Sequence, residues 1–183
     1  MQQRSFTDHG LKWGLIIGII YCVLLWLRYS LGESNPVVFG LWMTISFIVV
    51  LVLLFVSGVQ LRKKAGGYID LKETFKILFL SVLIFELMYA IFNFIYLKYV
   101  NPDFFVRFKA ASEAMLEAAK QPQEEIDRTL KNIDVDAARN MNIFDFMKSY
   151  LFSIAVTGIF AFLIALIVKR NPPAFQNDRY PQA

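Results

Sequence analysis

The chain has 183 residues, of which 57% are hydrophobic, 16% aromatic and only 19% charged, with a formal net charge of +4. Soluble domains average about 45–50% apolar and about 25% charged residues, so a water-borne globule, a disordered chain and a collagen-like fibre are all excluded. The single cysteine, Cys22, allows no internal disulfide and no cysteine-based zinc cluster.

Four stretches are long and apolar enough to cross a hydrocarbon core roughly 30 Å thick, which takes about 20 residues of helix. The first covers residues 10–31, with the uncharged centre 13–27 between Lys12 and Arg28. Arg4 and Lys12 ahead of an apolar stretch also fit a signal peptide, with Ser30, Leu31 and Gly32 as a small-x-small cleavage site. The long apolar centre, Arg28 beside that site and glycines at every fourth position favour a retained helix. The second span, 37–61, carries no charge at all. Between these two, Arg28 to Pro36 reads as a short turn closed by Gly32, Asn35 and Pro36.

A basic cluster (Arg62, Lys63, Lys64) and a Gly66-Gly67 break follow. Asp70 is then placed to cap the third span, 75–99, with Glu73 in capping-box position. That span is apolar apart from Lys76 and Lys98 at its ends and Glu86 inside. Asn101, Pro102 and Asp103 end it. Residues 101–141 then read as a helical cap of two short amphipathic helices. Phe104, Phe108, Ala111, Met115 and Ala119 recur on one face, Gln121-Pro122 breaks the run, and Ile126, Leu130, Ile133 and Ala137 continue it. These two are expected to fold as a hairpin resting on the bilayer or on the ends of the spans. The fourth span covers 144–168, and the tail 171–183, opening on Pro172 and Pro173, is expected to be disordered. The predicted fold class is therefore all-α: a polytopic membrane protein whose transmembrane domain covers 10–169. Helices are required because hydrocarbon leaves no partner for an unpaired backbone group.

Basic residues set the expected orientation. With four spans, the N-terminus, the middle connection and the tail share a side that carries ten Lys and Arg. The other side holds Arg28 and eight basic residues in the long connection, where nine acids outnumber them. Both termini are expected to be cytoplasmic. Arg62, Lys63 and Lys64 then meet anionic headgroups, as a topology signal or as a lipid dock.

Glu86 is the residue whose chemistry most needs an explanation, because a carboxylate in mid-membrane costs several kcal/mol. No Arg, Lys or His is read at its depth in the other spans. It shares a helix flank with Tyr89, Asn93 and Tyr96, and Thr44, Ser46 or Thr157 are candidate hydrogen-bond partners. The polar site is read either as interhelical glue or as a proton- or cation-responsive group. Two small-residue stripes stand out: Gly10, Gly14 and Gly18, then Cys22, on the first span, and Ser153, Thr157, Ala161 and Ala165 on the fourth. Such stripes let helices approach closely, and the first and last spans are expected to pack on each other. Homodimerisation through one stripe is the alternative use.

Enzyme signatures are absent. His9, in the N-terminal segment, has no companion for metal binding, and no Gly-x-Ser-x-Gly, His-Glu-x-x-His or phosphate loop occurs. No cofactor is expected. The basic excess is explained by orientation, so nucleic acid is not a partner. Expected partners are membrane lipids, a second copy, or another membrane or periplasmic protein.

The glycine-spaced first span, the run RKKAGGYIDLKETFK (62–76) and YLKYVNPDF (96–104) resemble a bacterial family of small four-span membrane proteins catalogued as a domain of unknown function (DUF4199-like). The resemblance runs from about Gly10 to Lys169 and implies a shared fold and an inner-membrane location, with no activity attached. The role read from the residues is non-enzymatic: accessory, regulatory or scaffold. The alternative is a small proton- or cation-coupled transporter or channel subunit that uses Glu86 in an oligomer.

Overall fold

The computed structural model describes residues 2–133, 135, 140 and 142–171, with side chains from Ser5 onward. Ala137, Arg179 and the tail past Asn171 lie outside the described residues. Among the described residues six α-helices follow in chain order: α1 (Gln2–Gly32), α2 (Pro36–Lys64), α3 (Leu71–Ile95), α4 (Phe104–Ala118), α5 (Gln123–Lys131) and α6 (Ile143–Val168). A π-helical turn, Tyr96–Val100, extends α3. Among the described residues there is no strand. A single backbone bridge joins Ile69 and Arg170 through N–H···O bonds of 3.0 and 2.9 Å.

Local chemistry sets the helix ends. Asn35 caps α2 through its side-chain oxygen, which accepts from the Val37 and Val38 amides. Pro36 sits in the first turn of that helix, where its missing N–H costs nothing. Asp70 caps α3 by accepting from the Glu73 amide at 2.7 Å. Asn142 and Asp145 form a reciprocal capping box on α6. Gly66 and Gly67 both take positive φ in the α2–α3 connection, which a side chain would resist.

Four segments, Ser5–Gly32, Pro36–Lys64, Leu71–Val100 and Ile143–Val168, are long and apolar enough to cross a membrane. Even the shortest, at 26 residues, reaches about 39 Å at 1.5 Å per residue. Their outer faces are apolar, as lipid contact requires: Leu15, Ile19, Val23 and Trp26 on α1 are all exposed. The protein is a membrane protein with an all-helical fold.

α3 is the central helix. It packs on α1 along one flank and on α6 along another, while α2 closes the bundle against α1 and α6. The inner core joins Ile17, Val50, Leu54, Leu78, Val82, Phe85 and Ala161. At one end Phe6, Leu61, Ile69 and Ile77 form a second cluster, which gathers the start of α1, the α2–α3 connection and the start of α3. The bridge to Arg170 adds the end of α6. At the opposite end Leu25, Tyr29, Tyr96, Leu97 and Phe104 form an aromatic plug. Phe104 is fully buried there, with ring contacts to Tyr29 (4.8 Å), Phe39 (5.8 Å) and Phe108 (5.6 Å). That plug seats α4 on the ends of the spans, and α5 adds buried Ile126 and Leu130.

Two expectations are corrected. The glycine stripe of α1 faces α3, where Gly10 lies against Ile77 and Leu80, Gly14 against Ile84 and Gly18 against Met88. The Ser153–Thr157–Ala161–Ala165 stripe of α6 is not its partner, because α3 stands between the first and last spans and takes a small-residue face from each. The short turn expected from Arg28 also starts five residues later, at Glu33: α1 continues to Gly32, and Arg28 is buried inside it.

Candidate functional site

Glu86 is 2% exposed, on the flank of α3 that faces α6. Ser153 and Thr157 stand one turn apart on α6, so their hydroxyls rise along one line. Ser153 Oγ donates to Glu86 Oε2, and Thr157 Oγ1 donates to Oε1 at 2.6 Å. One carboxyl group thus ties two membrane-spanning helices through both of its oxygens. One turn further along, Tyr150 donates to the Leu83 carbonyl at 3.1 Å, a third hydroxyl bond across the same seam. Of the expected partners, Thr157 is present and the α2 hydroxyls are not. Thr44 bonds the Gly40 carbonyl and Ser46 the Trp42 carbonyl of their own helix, as hydroxyls in membrane helices commonly do.

The polar flank read from the sequence divides between two neighbours. Whereas Glu86 turns to α6, Tyr89 and Asn93 meet α1. Tyr29 donates its hydroxyl to Asn93 Oδ1. Arg28 Nη2 reaches the Tyr89 hydroxyl at 3.5 Å, and the Tyr89 ring stacks on Tyr21 at 4.6 Å. The Arg28 guanidinium lies over Tyr29 and Phe39, 5.2 and 5.1 Å from their ring centres. Its Nε is buried without a hydrogen-bond partner, and among the described residues no carboxylate pairs with it. An arginine cannot shed its proton to escape this, so ring faces and one phenol carry the charge. Past the helix end, Glu33 accepts from Arg107 and Asn101, which pins the start of α4 to the α1–α2 turn.

Sequence reasoning missed two interior polar residues. The hydropathy pattern puts Arg28 in a turn, although Tyr21 and Tyr29, two turns apart, mark an aromatic face that could host it. The sequence puts His9 in the N-terminal segment just ahead of the first span, yet it is buried, with Nε2 3.1 Å from the Ser57 carbonyl oxygen and 3.3 Å from its Oγ. Its signal is its place in the same turn as Gly10 and Phe6. Ser81 supports the same region by donating to the Gly10 carbonyl at 2.9 Å.

Two hollows border these residues. An open cleft of about 380 Å³ lies between the starts of α1 and α3, lined by Phe6, Thr7, Asp70, Lys72, Glu73 and Lys76. A crevice of about 20 Å³ lies beside Tyr89 and Asn93, against Phe146 and Ser149 of α6. Among the described residues no group of three His, Cys, Asp or Glu is placed to hold a metal ion. The exposed cations Lys63 and Lys64 stand at the end of α2, with half-buried Arg62 before them.

No curated protein and no solved structure matches the chain. A family described as a protein of unknown function (DUF4199) matches residues 12–170. Since that match spans all four membrane-length helices and both ends of the polar line from Glu86 to Arg28, the chain belongs to this family of unknown function.

Proposed function

We propose that this protein is a non-enzymatic accessory, regulatory or scaffold component of a bacterial inner membrane, multi-pass, with both termini cytoplasmic. The observation that carries this reading is the state of Glu86. Its two oxygens are both taken by hydroxyls of α6, in a site only 2% exposed. A carboxyl committed in this way serves as a clasp between helices, whereas a carrier needs the group to be reached by an ion from water. The orientation draws on the clustering of Lys12, Arg62, Lys63, Lys64, Lys72, Lys76, Lys169 and Arg170 toward the end that joins the start of α1, the α2–α3 connection and the end of α6. The opposite end carries the docked α4–α5 pair, whose exposed charges of both signs, Glu113, Glu117, Glu124 and Glu125 with Lys120, Arg128 and Lys131, offer a polar face to a membrane or periplasmic partner.

The test is proton flux in vesicles under an imposed pH gradient. The accessory reading expects wild type and Glu86→Gln to give the same trace as protein-free vesicles. A flux in wild type that Glu86→Gln abolishes overturns it, and makes the chain a small proton- or cation-coupled carrier or channel subunit.

A further inference from the structure

The seam between α2 and α6 is open in its middle and closed at both ends. Towards the bilayer centre Phe47 and Phe160 close it, edge to face at 5.2 Å. Towards the charged end Gly58 allows Val168 to approach closely, since a Cβ there would lie 3.1 Å from Val168 Cγ2. Between these closures is a groove of about 330 Å³, walled by Leu51, Val52 and Phe55 on one side and Leu163, Ile164 and Ile167 on the other. No polar side chain lines it.

Arg62 stands one turn beyond the Gly58–Val168 contact, at the charged end of the seam. It follows Phe55 by seven residues, two turns along the same face, and its Nη1 donates to the Val168 carbonyl at 3.4 Å. The guanidinium is thereby anchored at the very end of α6, with its other nitrogens free to take an anion and exposed Lys169 one residue past the carbonyl it holds. The vertical spacing is informative. Leu51 precedes Arg62 by eleven residues, which is about 16 Å along the helix, close to the depth of one leaflet, half of roughly 30 Å. A lipid whose phosphate sits at Arg62 therefore lays its chain along this wall as far as the midplane.

We propose that the α2–α6 groove holds one acyl chain of an anionic phospholipid whose phosphate is taken by Arg62 and Lys169. Charge complementarity selects the occupant: an apolar slot of leaflet depth with fixed cations at its shallow end matches an anionic lipid rather than a zwitterionic one.

Native mass spectrometry of the full chain in detergent tests it, with palmitoyl-oleoyl phosphatidylglycerol and palmitoyl-oleoyl phosphatidylcholine supplied at equal concentration. One phosphatidylglycerol should be retained per chain, preferred about thirtyfold, the worth of two cations near a headgroup. Arg62→Gln should cut the preference to about fivefold, the worth of Lys169 alone. Val52→Trp should block the slot and lower retention of both lipids, while Ile19→Trp, on the exposed outer face of α1, should change neither. Leu163→Trp, on the opposite wall, provides the same block if Val52→Trp does not fold. Equal retention of the two lipids by wild type overturns the proposal, as does retention that neither tryptophan lowers. A lipid-free dimer held together through this seam overturns it as well, and assigns the groove to a second copy.

Discussion

Replacing Gly14 by alanine tests whether the α1–α3 seam is set by close approach. The added carbon would lie 2.8 Å from Ile84 Cβ, and 3.1 Å from both Cγ2 and Cδ1, where ordinary contact starts at 3.4 Å. Ile84 Cβ is bonded directly to the α3 backbone, so no rotamer change moves it away. The helices must part by about 0.6 Å, or the side chain must strain, and overpacking of this kind costs about 1–3 kcal/mol. Alanine returns about 1 kcal/mol through its better helix propensity. The same change at Gly40, where nothing lies within 4 Å, collects the propensity gain with no clash. Gly14→Ala and Gly40→Ala should therefore differ by about 1–3 kcal/mol, with Gly40→Ala the more stable. Equilibrium unfolding in mixed mild detergent and dodecyl sulfate, followed by far-UV circular dichroism, reads the difference directly. Equal stability of the two variants would refute the claim that glycine sets this seam.

Four further outcomes are expected. Thr157→Val should cost about 0.6 kcal/mol, and no more than about 1.7, in wild type; in a Glu86→Leu background the cost should fall below about 0.3 kcal/mol, and an unchanged cost would mean that the hydroxyl matters for another reason. Phe104→Ala empties the centre of the aromatic plug, at about 3–5 kcal/mol. Hydrogen exchange should then quicken in α4 and α5 while α3 stays protected; uniform quickening would show that the cap is not a separately docked unit. Arg28→Met removes a buried charge that has no carboxylate partner, and apolar replacements of buried ionic groups are often neutral or stabilising. Its unfolding midpoint should not fall below that of wild type, and a clear fall would mean the ring contacts outweigh the desolvation. Finally, in intact cells a membrane-impermeant maleimide should label Gln121→Cys and spare Ala65→Cys, and the reverse pattern would invert the proposed orientation.

The number and type of the spanning helices were legible in the sequence by itself. Runs such as residues 37–61, free of charge, have only one stable form in hydrocarbon, because each backbone group must be paired within its own segment. Local signals were legible for the same reason: Asp70 and the Gly66-Gly67 break act on neighbours a few residues away. Glu86 also stood out, since a lone acid in an apolar run is conspicuous wherever the helix points. Which helix faces which was decided only by the tertiary structure. The periodicity of Gly10, Gly14 and Gly18 marks a flat face but carries no address, and the neighbour proved to be α3, whose Ile84 and Met88 fill the space the glycines leave. The partition of Glu86 to α6 and of Tyr89 and Asn93 to α1 likewise depends on how far α3 is rotated about its axis between two neighbours. Arg28 and His9 were misplaced for a related reason. Hydropathy treats a polar side chain as an end of a span, whereas packing buried one against the rings of Tyr29 and Phe39 and the other against Ser57.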